Sequence, residues 1–169
     1  MTVTVIALAL TLWVPGAAAL GGPWPALVLV LLAALASAAD GAVAILTSRT
    51  TRLGYLYDSL VARVAEVCWL TAFWVLGAPV WLLVICGAVA WLHEYVRARA
   101  AAVGLTDVGS MTVGEWTTRL AVTAAGLLLA GVASRLTAGT VTVAAVVWVF
   151  LGGFGLAQLL SGVRKSLQG

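Results

Sequence analysis

The chain has 169 residues, 63% of them hydrophobic and only 9% charged, with a net charge of +3; a soluble domain carries roughly 25% charged residues. With a mean hydropathy of +1.13, this is the sequence of an all-α integral membrane protein, with room for about six spans of ~20 residues and none for a separate soluble domain. No basic cluster interleaves with aromatics, which excludes nucleic-acid binding, and Cys68 and Cys86 lie in apolar runs without CxxC spacing, so they read as core packing.

The first span is expected over 3–19. Its opening, Met-Thr-Val-Thr-Val, has no basic n-region and reads as a retained span rather than a cleaved signal peptide. Pro15-Gly16 predicts a kink or an early end, and Trp13 and Trp24 suit the membrane interface around the following turn. The second span, 24–48, carries Asp40 about two turns inside its end. The third, 54–76, opens with Gly-Tyr-Leu-Tyr-Asp and carries Arg63 and Glu66 in its first half. After Gly77-Ala78-Pro79, the fourth span covers 80–103, and its tail from His93 onward is amphipathic. A polar connection leads to the fifth span, 115–136, with Arg119 one turn inside. A turn at 137–140 precedes the sixth span, 141–162, which ends at Arg164-Lys165. Residues 1–169 thus read as one six-span transmembrane domain.

Under this count Arg49, Arg52, Arg97, Arg99, Arg119, Arg164 and Lys165 fall on one side, and Arg135 on the other. The positive-inside rule then places both termini in the cytoplasm, in a multi-pass protein of the cytoplasmic membrane. Asp40 and Asp58 lie near the same face. Ionisable groups in a membrane segment are costly and are functional candidates by default. Two spans joined by a short loop are expected to be antiparallel neighbours, which brings the two carboxylates to one depth. A divalent cation would relieve their repulsion, and hard oxygen ligands suit Mg²⁺ or Mn²⁺. Gly41, Ala44 and Gly54 leave little bulk beside them, either for close helix packing or for a ligand.

Asp40-Gly41-x2-Ala44 and Gly54-x3-Asp58, with the spacing between them, resemble the signature Asp-x2-Asp-Gly-x2-Ala-Arg-x8-Gly-x3-Asp-x3-Asp of the CDP-alcohol phosphotransferase (CDP-alcohol phosphatidyltransferase) family. His-Glu-Tyr-Val-Arg-Ala-Arg-Ala at 93–100 and Thr-Val-Gly-Glu at 112–115 are similar to segments of bacterial, especially actinobacterial, members. The resemblance implies a six-helix membrane fold, a homodimer, and transfer of a phosphatidyl group from CDP-diacylglycerol to an alcohol with release of CMP in phospholipid biosynthesis. It implies that Asp40 and Asp58 hold the metal, that Gly41, Ala44 and Gly54 line the nucleotide, and that Arg97, Arg99 and Arg119 meet a lipid or acceptor phosphate. Guanidinium binds phosphate bidentately.

The motif is degenerate. Its first aspartate falls at Ser37, a poor third metal ligand, and its arginine at Ile45. Its last aspartate, taken in the family as the base on the acceptor hydroxyl, falls at Ala62. Loss of a general base costs about 10²–10⁴-fold, so the resemblance implies impaired catalysis. Glu66 shares a helix face with Asp58 and Ala62 and is a weak stand-in; the bland alternative pairs it with Arg63. His93 reads as a packing or hydrogen-bonding residue. Open alternatives are a working transferase with an altered site, a non-catalytic relative that binds nucleotide or lipid or regulates a partner, an inactivated form of an active enzyme, and a small transporter. The transporter would need ion pairs through the midplane.

Overall fold

A computed structural model describes residues 2–46, 51–105 and 112–168. Among them the structure is helix and turn throughout: α1 (Thr2–Gly21), α2 (Pro23–Leu46), α3 (Arg52–Val75), α4 (Val80–Ala102), α5 (Trp116–Val132), a 3₁₀ turn (Ser134–Leu136) and α6 (Thr137–Gln168). Four segments are long and apolar enough to cross a membrane: Thr4–Gly21, Pro23–Val43, Val80–Ala102 and Ser134–Gln168. Helix α5 is apolar but has 17 residues. Helix α3 has 24 residues and is interrupted by Asp58, Arg63 and Glu66.

Several boundaries differ from expectation for local reasons. Pro15 neither ends nor shortens α1, which runs on to Gly21; Gly22, at φ +77°, makes the break, because this backbone conformation is strained for residues with a Cβ. Helix α5 stops at Val132 rather than at 136, where the chain tightens into the 3₁₀ turn. Residues 137–140, expected as a turn, open α6 instead. The hydroxyls of Thr137, Thr140 and Thr142 donate to the carbonyls of Ser134 (3.0 Å), Leu136 (3.0 Å) and Ala138 (2.7 Å), which keeps these threonines compatible with a helix.

The largest correction concerns neighbours. Chain order predicts α2 and α3 side by side, but α1 intervenes and packs extensively against both, leaving α2 and α3 only a short contact. The buried residues of α1, Ala7, Thr11, Val14 and Ala18, are mostly small, which permits close helix approach on two sides. Helix α2 then meets α5, while α4 and α5 both pack on α6. Trp69, Phe73, Leu127 and Trp148 are at most 1% exposed and centre the core. Cys68 and Cys86 are buried, free thiols within that apolar interior.

One close approach fixes the start of α5. A Cβ on Gly155 of α6 would collide with the backbone nitrogen of Gly114 and lie 2.6 Å from its Cα. Only glycine permits this contact, which seats the turn before α5 directly on α6. The carboxamide of Gln158 accepts from the Val113 N–H at 3.2 Å and holds the same turn. Glu115 and Arg119 are thereby carried to fixed positions.

Candidate functional site

Two polar regions lie on neighbouring faces of α3. On one face, Asp58, Ala62, Ala65 and Trp69 line a cavity; their three- and four-residue spacing puts them on one helical stripe. Ser37 and Asp40 of α2 line it from across, with Thr4 and Thr11 of α1 and Trp116 of α5. The cavity measures about 200 Å³. Asp40 is half-buried and accepts a hydrogen bond from the Thr4 hydroxyl, whereas Asp58 is exposed. The two carboxylates therefore share one cavity although their helices are not close neighbours. Every charge lining it is negative.

The donor set present is two carboxylates with the hydroxyls of Ser37 and Thr4. These are hard oxygen ligands in a negative cavity, which suits Mg²⁺ or Mn²⁺. Among the described residues no group of three His, Cys, Asp or Glu side chains gathers anywhere, so a cation here would have only two protein carboxylates. Ala62 lines the wall between Asp58 and Trp69 and offers no proton acceptor.

The residues expected around a nucleotide are placed unevenly. Gly41 faces open space, since a Cβ there would meet nothing within 4 Å. Gly54 serves the local structure, since its N–H donates to the Thr51 hydroxyl at 3.0 Å and caps α3; this cap satisfies a first-turn N–H. The side chains of Ala44, Ile45 and Arg52, and all of Arg49, lie outside the described residues.

On the neighbouring face of α3, Arg63 and Glu66 enter a buried ion network. Glu66, 1% exposed, contacts Arg63 at 2.8 Å and Arg119 Nε at 2.8 Å. Both are ion pairs without hydrogen-bond alignment. Glu94 of α4 accepts from Arg119 at 3.1 Å and lies 3.7 Å from Arg63. His93, fully buried, shares a hydrogen bond with the Thr112 hydroxyl at 2.9 Å, and its Nδ1 lies 3.8 Å from Glu94. Glu115 closes the outer end, accepting from Arg97 at 3.2 Å and from the Thr112 N–H at 3.0 Å.

This network joins α3, α4 and α5, and three guanidiniums (Arg63, Arg97, Arg119) face three carboxylates (Glu66, Glu94, Glu115). Charges this buried persist only when paired. Glu66 is thus taken up by two arginines and is not among the residues that line the cavity with Ala62. Arg99, one residue beyond Ala98 on the α4 tail, is exposed.

Sequence reasoning identifies Ser37, Asp40, Asp58 and Ala62 as one group. It misses Thr4, Thr11, Trp69 and Trp116. The signal is present in retrospect: Thr4 and Thr11 are seven residues apart in an apolar helix, and Trp69 continues the stripe of Asp58 and Ala62. It also pairs Glu66 with Arg63 but not with Arg119, a contact between helices that spacing within one helix cannot reveal.

A family model described as CDP-alcohol phosphatidyltransferase matches residues 1–151. No curated protein matches the chain.

Proposed function

The chain belongs to the CDP-alcohol phosphatidyltransferase family, and from that premise we propose that it is a phosphatidyltransferase scaffold whose catalysis is impaired by Ser37 and Ala62. The family supports a membrane-bound transferase of phospholipid biosynthesis in general terms. The observation that carries the finer reading is the shared cavity: Asp40, Asp58, Ser37 and Ala62 open onto one space. In this reading CDP-diacylglycerol is the donor. The bond between the lipid-side phosphorus and the bridging oxygen breaks, CMP leaves, and the alcohol oxygen bonds that phosphorus while its proton passes to water. A bound Mg²⁺ or Mn²⁺ would neutralise the pyrophosphate and the charge that develops on the leaving group.

The protein's own residues divide the work. Asp40 and Asp58, with Ser37 as a weak third ligand, hold the cation, and Thr4 orients the Asp40 carboxylate. Gly41, Ala44 and Gly54 leave the approach to the nucleotide free of bulk. Ala62 leaves the acceptor hydroxyl without a base, and Glu66, locked to two arginines, is poorly placed to replace it. Arg97, Arg99 and Arg119 contact lipid phosphate at the interface. Arg99 is exposed and free to approach a headgroup, whereas Arg97 and Arg119 reach phosphate only by giving up Glu115 or Glu66 and Glu94. All six helices cross the cytoplasmic membrane as one domain, with both termini and the cavity mouth on the cytoplasmic side. As in the family, the chain forms a homodimer.

The second reading, a non-catalytic relative that binds a CDP-linked ligand or regulates a partner, is favoured by Ala62. An assay of CMP release from CDP-diacylglycerol with a panel of alcohols separates the two. Slow, metal-dependent release supports the impaired transferase; none, with metal and nucleotide bound, supports the binding protein. Fast turnover would remove the impairment from the account.

A further inference from the structure

We propose that the outward groove between α4 and α6 binds one anionic phospholipid, with Arg99 and Arg164 holding its phosphate; this site is separate from the cavity and stands without the transferase reading above.

The two helices run side by side in the same direction. A Cβ on Gly152 would lie 2.8 Å from the Val89 side chain. A Cβ on Gly114 would lie 3.3 Å from both the Gly155 Cα and the His93 ring. Residue 89 is therefore level with 152, and residue 93 with 155. The same register sets Arg99 level with residues 161–162, and Arg164 follows roughly 3–5 Å further along the axis. Both helices are among the segments long and apolar enough to cross a membrane. Helix α6 has 32 residues and is roughly 48 Å long at ~1.5 Å per residue, against a hydrocarbon core of about 30 Å. It carries no charge before Arg164, so its last turns, and Arg99 beside them, belong at the headgroup level.

Helix periodicity puts both arginines on one flank. On α4, Glu94 faces α3 and α5, since it reaches Arg63 and Arg119. At about 100° per residue, Arg99 lies about 140° round from Glu94. On α6, Ala144 faces α5, with its Cβ 2.7 Å from a Cβ built on Gly126. Arg164 lies about 160° round from Ala144. Both side chains thus belong to the side of the α4–α6 pair turned away from the helices that pack on it, α3 and α5. Leu92 and Leu160 share this flank and are about half exposed, and a Cβ on Gly153 there would meet nothing within 4 Å. They form an apolar bed for an acyl chain beneath the arginines.

Charge selects the occupant. Arg99 and Arg164 are exposed and pair with no acid among the described residues. Asp40 and Asp58 belong to the cavity, and Glu66, Glu94 and Glu115 are held in the buried network. A lipid phosphate supplies the missing negative charge and accepts charge-assisted hydrogen bonds from guanidinium. A zwitterionic lipid brings its own ammonium beside the phosphate, which the arginines repel. Topology anchoring asks only for positive charge at this depth, and Lys165 supplies that equally. Lys165, however, lies only about 60° round α6 from Ala144, on the α5 side and outside the groove. It therefore separates a site from an anchor.

The test is native mass spectrometry of the full chain in detergent with equimolar phosphatidylglycerol and phosphatidylcholine. The proposal expects one phosphatidylglycerol retained per chain in preference to phosphatidylcholine. Arg99→Gln and Arg164→Gln should each weaken it by roughly tenfold, the loss of a hydrogen bond to a charged group. Lys165→Gln, which removes the same charge, and Asp40→Asn should leave it unchanged. Equal retention of the two lipids, no effect of either arginine variant, or an equal loss in Lys165→Gln overturns the proposal. So does a loss in Asp40→Asn, which would place the lipid in the cavity. CMP release is measured in parallel: retained phosphatidylglycerol without CMP release keeps this site and counts against turnover, and CMP release without preferential retention does the reverse.

Discussion

The two faces of α3 solve the problem of polar groups in an apolar chain in opposite ways. On one face, Arg63 and Glu66 are closed into a charge-balanced network with α4 and α5, and Glu66 is 1% exposed. On the other, Asp58 and Asp40 keep their charge beside a cavity with no cation lining it among the described residues. The first arrangement is complete in itself and holds helices together. The second sets two carboxylates around one space with no cation among the lining residues. Position along the sequence does not distinguish them, since Asp58 and Glu66 are only about two helical turns apart; the partners that other residues supply do, because Glu66 meets Arg63 and Arg119.

If the closed face is structural, breaking it should cost the most stability. Glu66→Ala leaves two buried guanidiniums, Arg63 and Arg119, with Glu94 as their one shared carboxylate, and the expected loss is about 3–5 kcal/mol, read as a large fall in thermal unfolding temperature or loss of a monodisperse species in detergent. An unchanged melting temperature would show the network to be ornamental. Asp40→Ala and Asp58→Ala should by contrast change the ligand-free melting temperature little, because Asp58 is exposed and Asp40 is bonded only to Thr4 among the contacts described.

The open face should gain stability from its ligand. At about 100 times the dissociation constant, Mn²⁺ is expected to stabilise the protein by roughly 2.7 kcal/mol, an increment that Asp40→Ala and Asp58→Ala abolish and Glu115→Gln preserves. Equal stabilisation of all variants would assign the metal elsewhere. A smaller effect tests how α5 is held. Gly155→Ala drives a methyl group into the Gly114 backbone, 2.6 Å from its Cα, and the overpacking should cost about 1–3 kcal/mol and disturb the Arg97–Glu115 pair. Gly153→Ala, where a Cβ meets nothing within 4 Å, is the control and should be nearly neutral.

Much of this architecture is legible in the sequence. Hydrophobic runs and Gly/Pro punctuation locate the six helices, because burial in lipid demands nearly continuous apolar helix. The motif spacing locates Asp40, Asp58, Ser37 and Ala62. What fails is adjacency. Chain order argues for α2 beside α3, yet the mostly small buried residues of α1, Ala7 and Ala18 among them, let that helix slot between them. The same insertion brings Thr4 and Thr11 into the cavity, so both misses share one cause. The Glu66–Arg119 pair is hidden for a related reason: it joins residues on different helices, and its formation depends on Gly114 and Gly155 seating the start of α5 on α6.

The contrast between a closed network and an open cavity, proposed as a metal site, is tested most directly by counting bound Mn²⁺ by electron paramagnetic resonance on the purified full chain. The expected result is one Mn²⁺ per chain, lost in Asp40→Asn and in Asp58→Asn and retained in Glu115→Gln. Retention of the ion in both aspartate variants, or its loss in Glu115→Gln alone, would contradict the account.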